Sequence, residues 1–376
     1  MKNETMVSRR KFLGIGAVAV AGLALAGCSN GSGDAAPAES TEPAGEDAAS
    51  SAPTDVKKVK VAAQSNSGQV FQYLAEAHGY LEEEGVDVEL IYINNNADAY
   101  TALSSDQVNV LSTYGTGGPL IQISNGLDLT IFGGYMITGE TPCFGKPETE
   151  WVDMNSFIGK KIGETHFSTA DTVLKGDLYD AGILDQVEWV DFKTNQEVLQ
   201  AVASGQVDFG TTATGYELQA AAMGLEVKMW PDDYWPDHSC CRMVAQTPWF
   251  NDPENQEALY RMLRAYIRAE EYMKDGEGHY DEVVDLVVEN LDLDKETVES
   301  FVKSPHMKYN TDVNREAVMK MFEKMCAFDY IENKDIDMES HINVDVYERA
   351  ITSLAEENPD DAWLQNKLAE FKENNY

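Results

Sequence analysis

From Lys57 onward the chain alternates short apolar runs with amphipathic stretches. Residues 59–63 read as a buried strand, 69–84 as a helix closed by Gly85, and 86–93 as a second strand. A helix over about 98–105 and a strand over 108–112 complete a β-α-β-α-β order. That order predicts an α/β sheet with helices on its faces. The same series restarts further along. Lys161-Ile162-Gly163 begins a strand, Ser168-Thr169-Ala170-Asp171 opens a helix that runs to Ala181-Gly182, 187–192 reads as a strand, and 194–204 as a capped helix. From Asn255 apolar positions recur at helical spacing, in Leu259, Met262, Leu263, Tyr266 and Ile267 and again in Val283, Val284, Leu286, Val287 and Leu291. Further helices are expected over 316–328 and 345–356, with 361–376 as a surface helix that frays.

The two series share a local repeat. Residues 102–113, ALSSDQVNVLST, align without gaps on 201–212, AVASGQVDFGTT. In each, a helix stops at a Ser-Asp or Ser-Gly turn, a short apolar strand follows, and a hydroxyl-rich loop leaves it. The repeat predicts two similar lobes: lobe one over 57–141 and 242–376, and lobe two over 142–241. The chain then enters and leaves lobe two by two neighbouring segments, near 140–145 and 237–244, which would form a hinge.

The first 28 residues break the pattern. A basic opening, Ser8-Arg9-Arg10-Lys11-Phe12-Leu13, runs into an apolar stretch that ends in Leu25-Ala26-Gly27-Cys28. The stretch is shorter than the roughly twenty residues a spanning helix needs, and its flanks are those of an export signal. S-R-R-K-F-L resembles the twin-arginine export signature, and L-A-G-C resembles the lipobox of bacterial lipoproteins. The resemblances imply an export signal over 1–27 and a lipid on Cys28 that anchors the chain to the cell membrane on its extracytoplasmic side. Residues 28–56 hold no aromatic residue and no Lys or Arg, so they are expected to be a disordered tether.

Charge narrows the partners. The chain carries 28 Lys and Arg against 65 Asp and Glu, a formal net charge of −37. Nucleic acid is therefore excluded as a partner, since a phosphate backbone needs basic surface. Beyond Cys28 the cysteines are Cys143, Cys240, Cys241 and Cys326. Outside the cytoplasm thiols can oxidise, so a bridge from Cys143 to Cys240 or Cys241 is expected at the hinge. Neighbouring strand residues face opposite ways, so one of the pair at most should meet Cys143. No Cys or His spacing of a zinc site is present, and no metal or cofactor is expected.

Several segments resemble one family. GYLEEEGVDVEL (79–90) resembles the G-Y-F-x-x-E-G-L-D-V-E segment of solute-binding proteins that serve ABC importers of the nitrate, sulfonate, taurine and thiamine-precursor type. FIGKKIG (157–163), AVASGQVD (201–208), WFNDPE (249–254) and NVDVY (343–347) resemble further segments of that family in the same order. The resemblance implies a periplasmic-binding-protein fold, α/β, with two lobes joined by a two-segment hinge and C-terminal helices on lobe one. It also implies a monomer that captures a small-molecule solute and presents it to an ABC permease. The 141–148 loop and the Ser239-Cys240-Cys241-Arg242 run depart from the nitrate and sulfonate binders.

In such a fold the cleft is lined by loops at the carboxyl ends of strands. Ser65, Asn66 and Gln69 follow the first strand and lead into a helix. Tyr114 and Thr116 follow the third. Across the cleft stand His166, Ser168 and Thr169, and then Thr214, Tyr216 and Glu217. Caps, core rings and a helix-start acid are the plain alternatives for these residues. Arg242 is the one arginine expected near the cleft. The set tilts toward an amine-bearing or nitrogen-heterocyclic solute, with a sulfonate such as taurine as the competitor. Catalytic motifs such as G-x-S-x-G and H-E-x-x-H are absent from the sequence, and no enzymatic activity is expected. Two other readings stand: a thiol-dependent extracytoplasmic enzyme using Cys240-Cys241 with His238, and a sensory or presenting lipoprotein without an importer.

Overall fold

In the computed structural model, residues 55–376 are described except 66–67, 166–167 and 277. The expected export signal, Cys28 and nearly all of the expected tether lie outside the described residues. Among those described, the chain runs through β1 (Lys57–Ala63), β2 (Val86–Tyr92), β3 (Val110–Leu111), β4 (Leu129–Thr138), β5 (Cys143–Gly145) and β6 (Lys161–Glu164). It continues through β7 (Glu188–Asp191), β8 (Phe209–Thr211), β9 (Glu226–Met229), β10 (Cys241–Gln246) and β11 (Lys308–Tyr309).

These strands form two mixed sheets, ordered β11-β4-β10-β3-β1-β2 and β7-β6-β8-β5-β9. Each sheet holds a parallel trio: β1 pairs with β2 and β3, and β6 with β7 and β8. Next to each trio lies an antiparallel strand placed just after a crossing, β10 beside β3 and β5 beside β8. The chain crosses between the sheets twice, over 139–142 and 230–240. The two sheets have the organisation of a periplasmic binding protein, and the repeat lies at equivalent places in both.

Local chemistry explains most elements. Thr194 caps the Asn195–Ser204 helix by accepting from the Glu197 amide at 3.2 Å, and Gly205 ends it at φ +77. In the other copy Asp106 takes the left-handed conformation, at φ +58. The long Pro253–Lys274 helix is capped by Asp252 and buries Leu259, Met262, Leu263, Tyr266 and Ile267 against the first sheet. Its Glu270 is fully buried and takes Lys274 at 2.7 Å, Lys367 at 3.0 Å and the Thr311 amide at 2.9 Å.

Four expectations are corrected. The single helix over 69–84 is two, Val70–Ala77 and Tyr80–Glu84, because Gly79 turns left-handed at φ +75 between them. The strand over 108–112 is paired only at Val110–Leu111. The tail does not fray at the surface. Its Ala362–Asn375 helix buries Leu364, Lys367 and Phe371, and Asn375 donates to Asp312 Oδ1 and accepts from the Arg315 amide, both at 2.9 Å. Finally, Cys143, Cys240 and Cys241 are free thiols. Cys143 packs in the core beneath the second sheet and Cys240 and Cys241 in that of the first. Nor do the two neighbours point apart: their sulfurs lie 3.6 Å from each other. Cys240 precedes β10, which also carries a register shift just after Cys241, so the pleat that would separate them is not yet established.

Candidate functional site

The loop that leaves β1 is tied to the one after β3, the Gln64 amide donating to Thr113 Oγ1 at 2.8 Å, and the loop after β3 faces the one after β6. After β1, Ser65 donates from its amide and hydroxyl to Asn94 Oδ1, at 2.9 and 3.1 Å. Gln69 is 2% exposed and held at φ +26, an uncommon conformation for a residue with a side chain. Its Oε1 accepts from Ser112 at 3.4 Å, while its Nε2 has no partner among the described residues. Burying such a donor costs about 1–3 kcal/mol.

The opposing loops are in direct contact. Thr169 donates to the Cys240 carbonyl at 3.4 Å, and Thr116 lies 3.4 Å from the Ser239 hydroxyl. Gly115 has φ +76, and a Cβ there would stand 2.5 Å from Thr169 Oγ1, so only glycine permits this approach. Two further groups span the sheets. Tyr330 bonds to Asp171 and takes Lys175 Nζ at 2.8 Å, while Lys324 reaches Asp180 at 2.5 Å and stacks over Trp235 at 3.8 Å.

Beside the 139–142 crossing the interior turns acidic. Thr214 donates to the Glu140 carbonyl at 3.2 Å. The Glu140 side chain is 2% exposed, and its Oε2 has no partner among the described residues. Burial, reinforced by the nearby Glu217 charge, pushes its carboxyl up to about 8. Both Glu217 oxygens are buried without a well-formed hydrogen bond. Burial raises that carboxyl too, with partial relief from the amides of Glu217 and Gly215, from nearby His306 and from the Tyr216 amide. Tyr309, a buried neighbour of Glu140, also leaves its hydroxyl without a partner among the described residues. At the second crossing Asp232 accepts from His306 Nδ1 at 2.9 Å, and Trp230 stacks flat on that imidazole at 3.8 Å and 9°.

The expected site residues divide. Gln69, Thr116, Thr169, Thr214 and Glu217 come to the facing loops. Ser65 is tied to Asn94 and Ser168 caps its helix through the Asp171 amide at 3.1 Å. Tyr114 belongs to the first core, and its hydroxyl is spent on the Ile93 carbonyl at 2.7 Å. Tyr216 packs against the Leu199–Val202 core. Asn66 and His166 lie outside the described residues. Arg242 is buried and gives Nη1 to the Met136 and Cys241 carbonyls at 3.0 and 2.9 Å. Sequence reasoning did not single out Glu140, Asp232, His306 or Tyr309; the one signal was that Glu140 stands at a crossing. A cavity of about 630 Å³, lined by Tyr80, Arg268, Tyr272 and Trp363, lies away from these loops.

Comparison with known proteins places this arrangement. The family model described as NMT1/THI5 like matches residues 66–276. The periplasmic aliphatic sulphonate binding protein SsuA from Escherichia coli is 16% identical with a TM-score of 0.63, over 76% of this chain and 92% of its own. A ligand-binding component of an ABC-type import system from Staphylococcus aureus, solved with zinc bound, is 14% identical with a TM-score of 0.64, over 78% and 99%. The periplasmic nitrate-binding protein NrtA from Synechocystis PCC 6803 is 14% identical with a TM-score of 0.61, over 81% and 90%. No curated protein sequence matches the chain. With more than half of its length matched, the chain belongs to the NMT1/THI5-like family and has the fold of the periplasmic solute-binding proteins.

Proposed function

We propose that this protein is the solute-binding component of an ABC importer. It takes a small organic solute between two lobes, 57–141 with 242–376 and 142–241, and presents it as a monomer to the permease. The solute carries an amine or a nitrogen heterocycle. The observation that carries this class is Glu217, whose two carboxylate oxygens are buried with no well-formed hydrogen bond among the described residues and with His306 as the one positive group acting on them. A ligand ammonium would supply the missing charge and donors. Arg242 apart, the described arginines offer no competing anion site there. Arg261, Arg264, Arg268 and Arg349 pair with acids on the outer helices, and Arg315 is spent on the tail carbonyl of Asn375.

A sulfonate such as taurine is the second reading, favoured by Arg242. Its Nε and Nη2 are buried without partners among the described residues. The lipid on Cys28, the twin-arginine route and the extracytoplasmic anchorage belong to the same proposal and rest on the sequence. The thiol-enzyme reading is weakened by His238, whose ring nitrogens are occupied by the Trp235 carbonyl at 3.2 Å and the Gly139 amide at 3.4 Å. A thermal-shift screen of the purified chain against amines, pyrimidines, taurine, alkanesulfonates and nitrate tests the proposal. An amine-bearing compound should raise the midpoint in wild type and not in Glu217→Gln. A shift with simple alkanesulfonates alone would transfer the proposal to the second reading.

A further inference from the structure

We propose that Cys240 and Cys241 form a reversible modification site, closing to a disulfide between chain neighbours by exchange with a small-molecule disulfide of the glutathione class. Both thiols are buried and free, and their sulfurs lie 3.6 Å apart. In a regular strand, neighbouring side chains point to opposite faces. Here the pleat is interrupted on either side of the pair. Ser239 takes the left-handed conformation at φ +61, and the pairing of β10 with β4 shifts register between Cys241 and Arg242. The first crossing makes room for the pair: a Cβ on Gly139 would stand 2.3 Å from Cys240 Sγ, so glycine is needed there. The other described thiols lie elsewhere, Cys143 in the core beneath the second sheet and Cys326 on the Arg315–Ala327 helix.

In the first step a Cys241 thiolate attacks one sulfur of the small disulfide RSSR, which breaks its S–S bond, forms Cys241–S–SR and releases RS−. The Cys240 thiol then gives up its proton and attacks the Cys241 sulfur, forming the Cys240–Cys241 bond and expelling the second RS−. The pair is oxidised by two electrons, the small disulfide is reduced, and the two cysteine protons end on two RSH. Cys241 suits the attacking role because the hydrogen bond from Cys240 holds its thiol below the ordinary value against the cost of burial. Access comes from the seam between the sheets. The Cys240 carbonyl accepts from Thr169 at 3.4 Å and the Ser239 hydroxyl lies 3.4 Å from Thr116, so parting of the facing loops uncovers the pair. Adjacent Cα atoms are about 3.8 Å apart, nearer than the roughly 4.4–6.8 Å of ordinary disulfides, so the closed ring is strained and readily reduced. Closing it turns the peptide that carries the Cys240 carbonyl, the acceptor of Thr169, and oxidation therefore weakens a contact between the facing loops. The site does not depend on which solute is carried.

The test uses the purified full chain, reduced, freed of reductant and equilibrated in mixtures of glutathione and glutathione disulfide, then alkylated in denaturant and weighed intact. Toward the oxidising end the chain should lose two hydrogen atoms and two alkylatable thiols, and peptide mapping should place both losses in the one fragment that carries Cys240 and Cys241. Excess glutathione should restore them. Cys143→Ser should leave this loss unchanged, while Cys240→Ser should abolish it and trap a single glutathione adduct on Cys241. Amide hydrogen exchange at 114–118 and 168–172 should quicken at least twofold in the oxidised chain. Two thiols that stay alkylatable in the most oxidising mixture, wild-type adducts that never close, or a bridge to Cys143 would overturn the proposal. Exchange rates indifferent to oxidation would overturn its link to the facing loops.

Discussion

Single side chains carry the largest electrostatic contrasts. Burial pushes the Glu270 carboxyl up, but the Lys274 and Lys367 charges outweigh it and bring the group down to about 2. Its folded value lies below the ordinary one near 4.5, so its stabilisation is present above that pH and is lost as the pH falls toward 2. Glu270→Gln, which leaves Lys367 buried and uncompensated, should cost about 3–5 kcal/mol and flatten the acid limb of a midpoint-against-pH curve. Glu140 has the opposite sign. Its value near 8 means that stability falls as the pH rises from about 4.5 to 8. Glu140→Gln should raise the thermal midpoint more at pH 8 than at pH 5, and an equal shift at both would refute the assignment. These residues were hard to read from sequence because each depends on partners far along the chain. Glu140 meets Ser304 and Glu217, and Glu270 meets Lys367.

Elements were far more legible, since their signals are local. The repeat of 102–113 in 201–212 corresponds to the same turn twice, with the Gln107 and Gln206 amides reaching back to Ala102 and Ala201, each at 2.9 Å. The left-handed residue is Asp106 in one copy and Gly205 in the other. Gly205→Ala should therefore cost about 1–2 kcal/mol in denaturant unfolding, through backbone strain. The strands β1 and β2 and the capped helices of both sheets follow from periodicity and caps. Gly79 split one expected helix because a glycine within an amphipathic run does not announce its φ. The last helix was misread because its docking rests on Asp312, some sixty residues earlier. Among the proposed site residues, the position of Gln69, Thr169 and Glu217 in loops after strands was legible. Tyr114 was not, since a ring at a loop tip packs into core as readily as it faces a ligand.

For the molecule as a whole, the decisive contact is Gly115 against Thr169, where loops from the two sheets touch. Gly115→Val would hold them apart, and the population able to close on a solute should fall. Solute affinity is expected to weaken at least tenfold with circular dichroism unchanged; undiminished affinity would show that closure does not use this contact. Chain order adds a temporal dimension. The second sheet is made entirely from 143–229, whereas the first waits for β10, for β11 and for the helix that brings Asn375 to Asp312. During synthesis the later-numbered sheet is thus the first to have all its strands, and the earlier one is the last. A polypeptide cut before Ala362 would carry one finished half and one in which Glu270 lacks Lys367 and Asp312 lacks Asn375, which makes that half the natural target of quality-control proteases.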